Sequence, residues 1–196
     1  MSFKTIAYTQ KNIKIIKKSK FITIVEPISD KNEVQSLFKK YKEQYYDATH
    51  ICFAYVIGRE FNYMKAYDDG EPNGTAGIPI LNIIKIKSLT NVIIFVVRYF
   101  GGIKLGTGGL IRAYSQCAKE IIDNCEIIIL QKYFYYKVVY KLKNTKFAKQ
   151  ILASISYEKL IESYEDDRVI LKIRINTKIN IFMSKIEFIF IKYLKI

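Results

Sequence analysis

All nine glycines of this 196-residue chain lie between Gly58 and Gly109. Glycine adopts positive φ angles and allows close backbone contacts without a steric penalty. The tight turns are therefore concentrated in the first part of the chain, and the segment after Gly109 must consist of regular elements joined by polar loops. Together with a change of pattern after Cys125, this predicts two domains, over residues 1–126 and 127–196, and the chain is long enough to bury a core.

The first domain combines helix-like and strand-like hydrophobic patterns. Asp30, followed three residues later by Glu33, is typical of a capping box. The continuous apolar run Asn91–Tyr99 is typical of a central strand. Thr75 is expected to cap a helix with Pro79 in its first turn. The predicted strands are Thr5–Val25 with breaks near Asn12 and Ser19, Ile51–Ile57, Phe61–Tyr67 and Asn91–Tyr99, and the predicted helices are Asp30–Tyr45, Thr75–Ile86 and Leu110–Cys125.

The second domain follows the order βαββαβ, which predicts a ferredoxin-like fold and an α+β class for the whole chain. Aromatic residues alternate between the two faces of its first strand, at positions 133 to 136. They form either core on one face or a surface for base stacking. The predicted strands are Lys132–Leu142, Tyr157–Tyr164 and Val169–Ile175, the predicted helices are Thr145–Ile155 and Lys178–Phe190, and a short strand closes the chain.

The formal net charge is +14, and only five of the 32 basic residues are arginine. Lysine, isoleucine, tyrosine and asparagine share A/T-rich codons, so genome composition alone can produce many of the lysines. Whatever its origin, this charge favours polyanions and salt-sensitive association. Val92–Val97, the longest uncharged apolar stretch, is far below the ~20 residues that cross a bilayer, and Met1–Gln10 contains no secretory signal. Three unpaired cysteines without CxxC spacing predict a reducing, cytoplasmic location without a membrane.

A glycine-rich segment between the central strand and the last helix of the first domain is the main candidate site. Five glycines let the backbone approach a ligand, and the following helix N-terminus favours anions. The segment lacks a dinucleotide-binding GxGxxG, because Ile111 stands where glycine is required, and lacks a P-loop, because Thr107 stands where lysine is required. A purely structural turn is the alternative. The predicted phosphate-binding residues are Arg98, Gly101, Gly102, Lys104, Gly106, Thr107, Gly108, Gly109 and Arg112, helped by Lys65 and Arg59.

The acidic segment Asp68–Glu71 allows three interpretations. Asp68, Asp69 and Glu71 could form a turn that makes ion pairs with the basic loop, could hold Mg²⁺, or could act as an acid/base pair. The structural turn is the favoured interpretation, and no cofactor is predicted.

The lone histidine, His50, cannot build a multi-histidine zinc site and is expected to be structural. Ser115, His50 and Asp68 have the residue types of a catalytic triad, but Ser115 is not in a GxSxG elbow. Cys117 and Cys125 are expected to face the core from one helix.

Residues 68–77 and 96–115 together resemble the signature of the IMPACT family, and Ser19–Ile22 and Asp47–His50 also match its pattern. The resemblance implies an N-terminal domain like domain 2 of ribosomal protein S5. It also implies a ferredoxin-like C-terminal domain similar to domain V of elongation factor G. The chain departs from the family by ending at Ile196, which leaves little room for a full last strand.

The family implies a role in translation control. Its eukaryotic members restrain an amino-acid-starvation kinase by competing for the activator of that kinase, and its bacterial members are associated by fold with nucleic acid or ribosomes. Some relatives carry a proline-peptidase label, but this sequence lacks the paired carboxylate and histidine ligands that such a peptidase needs.

These observations predict a non-enzymatic, cytoplasmic RNA- or ribosome-binding protein that modulates translation or a stress response, with translation-control proteins as further candidate partners. The alternatives are a metal-assisted hydrolase or transferase that acts on a phosphorylated metabolite, and a protein–protein adaptor. The sequence leaves the oligomeric state open.

Overall fold

The computed structural model describes residues 2–58, 61–176 and 187–195, with the last range and residue 132 described by their backbone. The chain divides into two compact units. Residues 3–129 form the first unit, and residues 130–196 together with 1–2 form the second.

The elements of the first unit are numbered in chain order. They are β1 (Ser2–Ile6), β2 (Gln10–Ile16), β3 (Ser19–Pro27), α1 (Lys31–Gln44), β4 (His50–Ile57), β5 (Tyr63–Tyr67), α2 (Gly77–Ile86), β6 (Val92–Tyr99) and α3 (Thr107–Asp123). Five of these strands form an antiparallel sheet in the order β2-β3-β6-β4-β5. The apolar run predicted as a central strand is therefore confirmed as the middle strand of the sheet.

The central strands of this sheet are covered on both faces. Alternate residues of β3, β4 and β6 pack against α1 on one side, where Val34 and Tyr41 are buried. The other set packs against α2 and α3, with Ile80, Ile84 and Tyr114 fully buried. Burial on both faces explains why β4 and β6 are continuous apolar runs although the sheet is antiparallel.

The N-terminal strands differ from the prediction. Strand β2 passes through Asn12 without a break, whereas the break predicted near Ser19 corresponds to the turn at Lys17 and Lys18. Both lysines have positive φ, of 45° and 65°. The sequence placed this break but did not indicate a two-residue hairpin turn, because such turns normally contain asparagine or glycine.

The second unit contains β7 (Ile127–Lys141), α4 (Thr145–Ala153), β8 (Glu158–Glu165), β9 (Arg168–Ile175) and β10 (Glu187–Lys195). Its strands pair antiparallel, β10 and β9 with β7 and β8 with β9. Ala148 and Leu152 of α4 pack against the core residues of β7 and β9.

The end of the chain corrects two expectations. Most of the predicted helix Lys178–Phe190 lies outside the described residues, but from Glu187 to Lys195 the chain is a strand. This strand has nine residues, so the expectation of a short last strand is wrong. Its apolar, β-branched and aromatic residues favour pairing with β7 over helix formation.

Among the described residues, no helix combines the length and apolar character needed to cross a membrane.

The capping box predicted at the start of α1 is present. One Asp30 side-chain oxygen accepts hydrogen bonds from the backbone N–H of Asn32 and Glu33, and Glu33 accepts one from the N–H of Asp30 at 3.0 Å. Hydrogen bonds from Ser29 hold the pKa of Glu33 below its ordinary value. The α1 N-terminus is therefore stabilised by side chains that the sequence identifies correctly.

Asp30→Ala is expected to lower the free energy of unfolding by about 1 kcal/mol, because two backbone donors lose their acceptor. Urea denaturation followed by circular dichroism measures the change. Asp30→Asn, which keeps the acceptor oxygen, should unfold close to the wild-type midpoint. Equal losses in the two variants would contradict a capping role.

Candidate nucleic-acid interface

Residues 101–109, called here the glycine loop, comprise the connection between β6 and α3 together with the first three residues of α3. A Cβ at Gly101 would lie 2.0 Å from the carbonyl oxygen of Lys18, so only glycine allows the β2–β3 turn to approach. The N–H of Gly101 donates to Oγ of Ser19 at 3.2 Å. Gly102 and Gly106 have positive φ, of 82° and 71°, which a side chain would disfavour. The glycines thus have a demonstrable structural role in the path of the loop.

The N-terminus of α3 is open. Its N-cap residue, Gly106, has no side chain to cap the helix, and the first turn contains no acidic residue. The N–H groups of the first turn of a helix have no intrahelical acceptor, and together with the helix dipole they favour an anion. Nη1 of Arg112 lies 3.6 Å from the position that a Cβ of Gly108 would occupy. A guanidinium group is therefore next to this helix end.

A surface pocket of about 310 Å³ adjoins the loop. It brings together four of the predicted site residues, Arg98, Lys104, Gly106 and Thr107. The ring of Phe100, which is 46% exposed, also borders the pocket. The complete lining is Glu71, Pro72, Arg98, Phe100, Lys104, Leu105, Gly106, Thr107 and Leu110.

Six of the predicted phosphate-binding residues that the structure describes do not line this pocket. Lys65 is exposed on the edge strand β5, opposite Tyr55 of β4, and does not line the pocket. Arg59 lies outside the described residues. The other predicted residues, Gly101, Gly102, Gly108, Gly109 and Arg112, belong to the loop or to the first turns of α3.

Arg98 reaches the pocket as one half of a buried ion pair. Its Nη1 donates to Oε1 of Glu71 at 2.6 Å, and the two side chains are 6% and 2% exposed. Nη2 donates to Ser19 at 3.4 Å, and the hydroxyl of Tyr114 donates to the same Glu71 oxygen at 2.7 Å. Glu71 neutralises this guanidinium, so the loop cations without an ion-pair partner among the described residues are Lys104 and Arg112. Nε of Arg98 is buried without a partner within the described part of the chain.

Burial keeps the neighbours of Glu71 protonated. It raises the pKa of Tyr114 well above its ordinary value, and it also raises the pKa of the Cys52 thiol. The thiol donates to the carbonyl oxygen of Asp68 at 3.0 Å. Cys52 is therefore a buried neutral donor and not a thiolate nucleophile at neutral pH.

Asp68 caps α2, a role that the sequence analysis assigns to Thr75. The Asp68 carboxylate accepts from the N–H of Gly74 at 2.9 Å, of Ala76 at 3.0 Å and of Gly77 at 2.8 Å. The hydroxyl of Thr75 instead donates to a carbonyl within the preceding turn. The prediction for Thr75 is wrong because the helix starts two residues later, where a carboxylate from outside the helix reaches its N–H groups.

The acidic segment is engaged by protein groups. Asp69 accepts from the N–H of Ile51 at 2.7 Å and from the hydroxyl of Tyr67 at 3.1 Å. Nδ1 of His50 lies 2.8 Å from the carbonyl oxygen of Asp69, and Nε2 lies 3.9 Å from Glu71. Among the residues that the structure describes, no three metal-ligating side chains are grouped to hold an ion. The turn stabilised by ion pairs, the favoured interpretation, matches these contacts.

The cysteines differ slightly from the expectation. Both pack at the core of the first unit as expected, with Cys117 buried in α3, but Cys125 is half-buried and lies beyond the end of the helix.

Sequence reasoning did not identify the residues that hold the Glu71–Arg98 pair. Ser19 and Tyr114 lie far apart in sequence and show no local pattern that links them to Glu71. The only available signal was their presence in segments that match the family pattern.

These features define a class of α+β protein. In this class, a glycine loop and an uncapped helix N-terminus lie next to a buried carboxylate–arginine pair. The Impact N-terminal domain matches residues 17–122, which include all of these groups. The chain belongs to the IMPACT family.

The relatives agree with this assignment. IMPACT family member YvyE of Bacillus subtilis (strain 168) is 46% identical over 114 residues, which are 58% of this chain and 52% of that protein. IMPACT family member YigZ of Escherichia coli (strain K12) is 39% identical over 102 residues, 51% of this chain and 50% of that protein. The chain thus spans about half the length of these curated relatives.

A solved structure described as a hypothetical protein is also similar. It superposes with a TM-score of 0.65 and 27% sequence identity, covering 89% of this chain and 85% of that one. The mixed α and β fold therefore extends over most of both chains.

Glu71→Gln is expected to lower the free energy of unfolding by about 3 kcal/mol, because the Arg98 guanidinium would remain buried without a countercharge. Urea denaturation measures the loss. Adding Arg98→Met to Glu71→Gln should recover part of it, since the unpaired charge is removed. A Glu71→Gln protein as stable as wild type would show that the pair is solvated.

Proposed function

We propose that the chain is a non-enzymatic RNA- or ribosome-binding protein that modulates translation or a stress response. It acts in the cytoplasm and binds RNA at the glycine loop. Translation-control proteins are further candidate partners. Membership of the IMPACT family supports the translational setting, and the geometry of the loop supports the mode of binding.

Two finer fold assignments belong to this proposal. The first unit is like domain 2 of ribosomal protein S5, and the second is a ferredoxin-like domain similar to domain V of elongation factor G. The second assignment is supported by the antiparallel pairing of β7 with both β10 and β9 and of β9 with β8, so that the first and third strands of the unit are adjacent.

The observation that carries the proposal is the coincidence of free cations with an open helix end. Lys104 and Arg112 are exposed, and neither forms an ion pair within the described part of the chain. Both flank the uncapped N-terminus of α3. Backbone N–H groups, a lysine and an arginine are the donors that proteins use for phosphate oxygens.

This arrangement favours the phosphate backbone over the bases. Phosphate contacts carry no sequence information directly and release counterions, so affinity falls steeply as salt rises. The net charge of +14 strengthens this long-range attraction. We therefore expect broad, salt-sensitive RNA binding.

The alternatives have less support. A metal-assisted hydrolase or transferase would need Asp68, Asp69 or Glu71 as ligands, and each already accepts hydrogen bonds from protein groups. A protein adaptor would not need an open helix end between two cations. Both alternatives predict that charge reversal at the loop leaves RNA binding unchanged.

Lys104→Glu/Arg112→Glu is expected to weaken binding to a single-stranded oligouridylate and to purified ribosomes at low salt. The slope of log affinity against log salt should become shallower by about 1.4, because two phosphate contacts are lost at about 0.7 each. Fluorescence anisotropy for the oligonucleotide and cosedimentation for ribosomes measure the two effects.

The matched control is Lys85→Glu/Lys119→Glu, which changes the net charge equally at exposed positions of α2 and the C-terminal half of α3. It should retain the wild-type slope. If both double variants lose the same affinity, binding follows net charge alone and the glycine loop is not the site.

A further inference from the structure

The β2–β3 turn contains two strained lysines that the site described above does not use. Ile16 pairs with Ser19, so the turn has only two residues, Lys17 and Lys18, and both have left-handed φ. Two-residue turns of this kind strongly prefer Asn-Gly, because residues with a long side chain are disfavoured in the left-handed region. The free energy of this left-handed backbone conformation is therefore higher with two lysines than with the Asn-Gly pair.

Genome composition does not explain this choice. The A/T-rich codon bias that supplies lysine supplies asparagine equally, and asparagine is the better residue for the left-handed backbone. Strained residues of this kind cluster at functional sites, where the surrounding structure holds them in place. The strain at this turn points to a role for the two ammonium groups.

The turn is held against the glycine loop. The carbonyl of Lys18 lies against Gly101, where a Cβ would be 2.0 Å from its oxygen, and the N–H of Gly101 donates to Ser19. The hairpin and the loop therefore present neighbouring surfaces of one unit.

Strand β2 also lies along α3. Gln10 is close to Cys125 at one end of β2, and Lys14 forms an ion pair with Glu120 further along it. From Gln10 to Lys14, β2 therefore runs toward the N-terminal half of α3, where Arg112 is located. The turn follows at the end of this path.

The charge of the turn is not cancelled locally. Lys17 and Lys18 are exposed, and neither makes an ion pair among the described residues. The acidic side chains packed nearby already have cationic partners: Glu120 pairs with Lys14, and Glu71 pairs with Arg98.

We propose that Lys17 and Lys18 are the second half of the RNA site and contact phosphates next to those bound at the glycine loop. The inference rests on the proposed function and adds residues to it. An extended RNA backbone then runs from the N-terminus of α3 to the β2–β3 turn. The two lysines remain at this turn although they lower the stability of the fold.

The test is Lys17→Asn/Lys18→Gly, which removes two charges and installs the preferred turn. Tm should rise by about 3 °C, because the strain is relieved. The slope of log affinity for the oligouridylate against log salt should become shallower by about 1.4. Stability and binding thus change in opposite directions, so weaker binding cannot be attributed to loss of the fold.

Two controls accompany this variant. Lys85→Gln/Lys119→Gln removes the same charge elsewhere and should keep the wild-type slope. Lys17→Arg/Lys18→Arg keeps both the charge and the left-handed strain, and should keep both the slope and Tm close to wild type.

The outcomes separate the two proposals. If Lys17→Asn/Lys18→Gly binds like wild type while Lys104→Glu/Arg112→Glu loses affinity, the inference is wrong and the glycine-loop site stands. If neither variant differs from wild type, the RNA site itself is wrong. A lower Tm for Lys17→Asn/Lys18→Gly would overturn the argument from strain, and a slope reduced equally by Lys85→Gln/Lys119→Gln would overturn the assignment to the turn.

Discussion

The buried pair of Glu71 and Arg98 is the interaction on which the site depends. It joins the acidic segment to the end of the central strand, and Tyr114 of α3 donates to the same carboxylate oxygen. Through Ser19, the arginine also reaches the start of β3. The acidic segment, the end of β6, α3 and the start of β3 therefore meet at this ion pair, and the position of the glycine loop follows from where they meet. Burying the two charges costs desolvation free energy, and the contribution of the pair is to fix the relative positions of the segments that it joins.

Local sequence patterns predicted the elements that local interactions stabilise. The capping box of Asp30 and Glu33 involves residues three positions apart, and the buried run of β6 reflects its own composition. The helices and most strands of both units follow from the same kind of signal. The end of the chain was misjudged because apolar spacing alone does not separate a helix from a strand, and pairing with β7 favours the strand.

The site was less predictable because its contacts are long-range. The glycine loop was recognised from its composition, and ion pairing between the acidic segment and the basic loop was the favoured interpretation, but the contact of Ser19 with Arg98 and the cap of α2 were not predicted. Asp68 reaches the N-terminus of α2 from nine residues before Gly77, and Ser19 contacts Arg98 across 79 residues. No periodic pattern encodes such contacts. The break near Ser19 was predicted, but the left-handed conformation of Lys17 and Lys18 was not, since these residues are the ones that turn rules disfavour.

The approach of the β2–β3 turn to Gly101 also has a consequence for the order of folding. The hydrogen bond between Gly101 and Ser19 spans 82 residues, so a long segment must be closed before it can form. During synthesis the hairpin emerges early, but the surface that it shares with the loop cannot exist until β6 and α3 have followed. A nascent chain therefore acquires this surface only after nearly all of its first unit has been made.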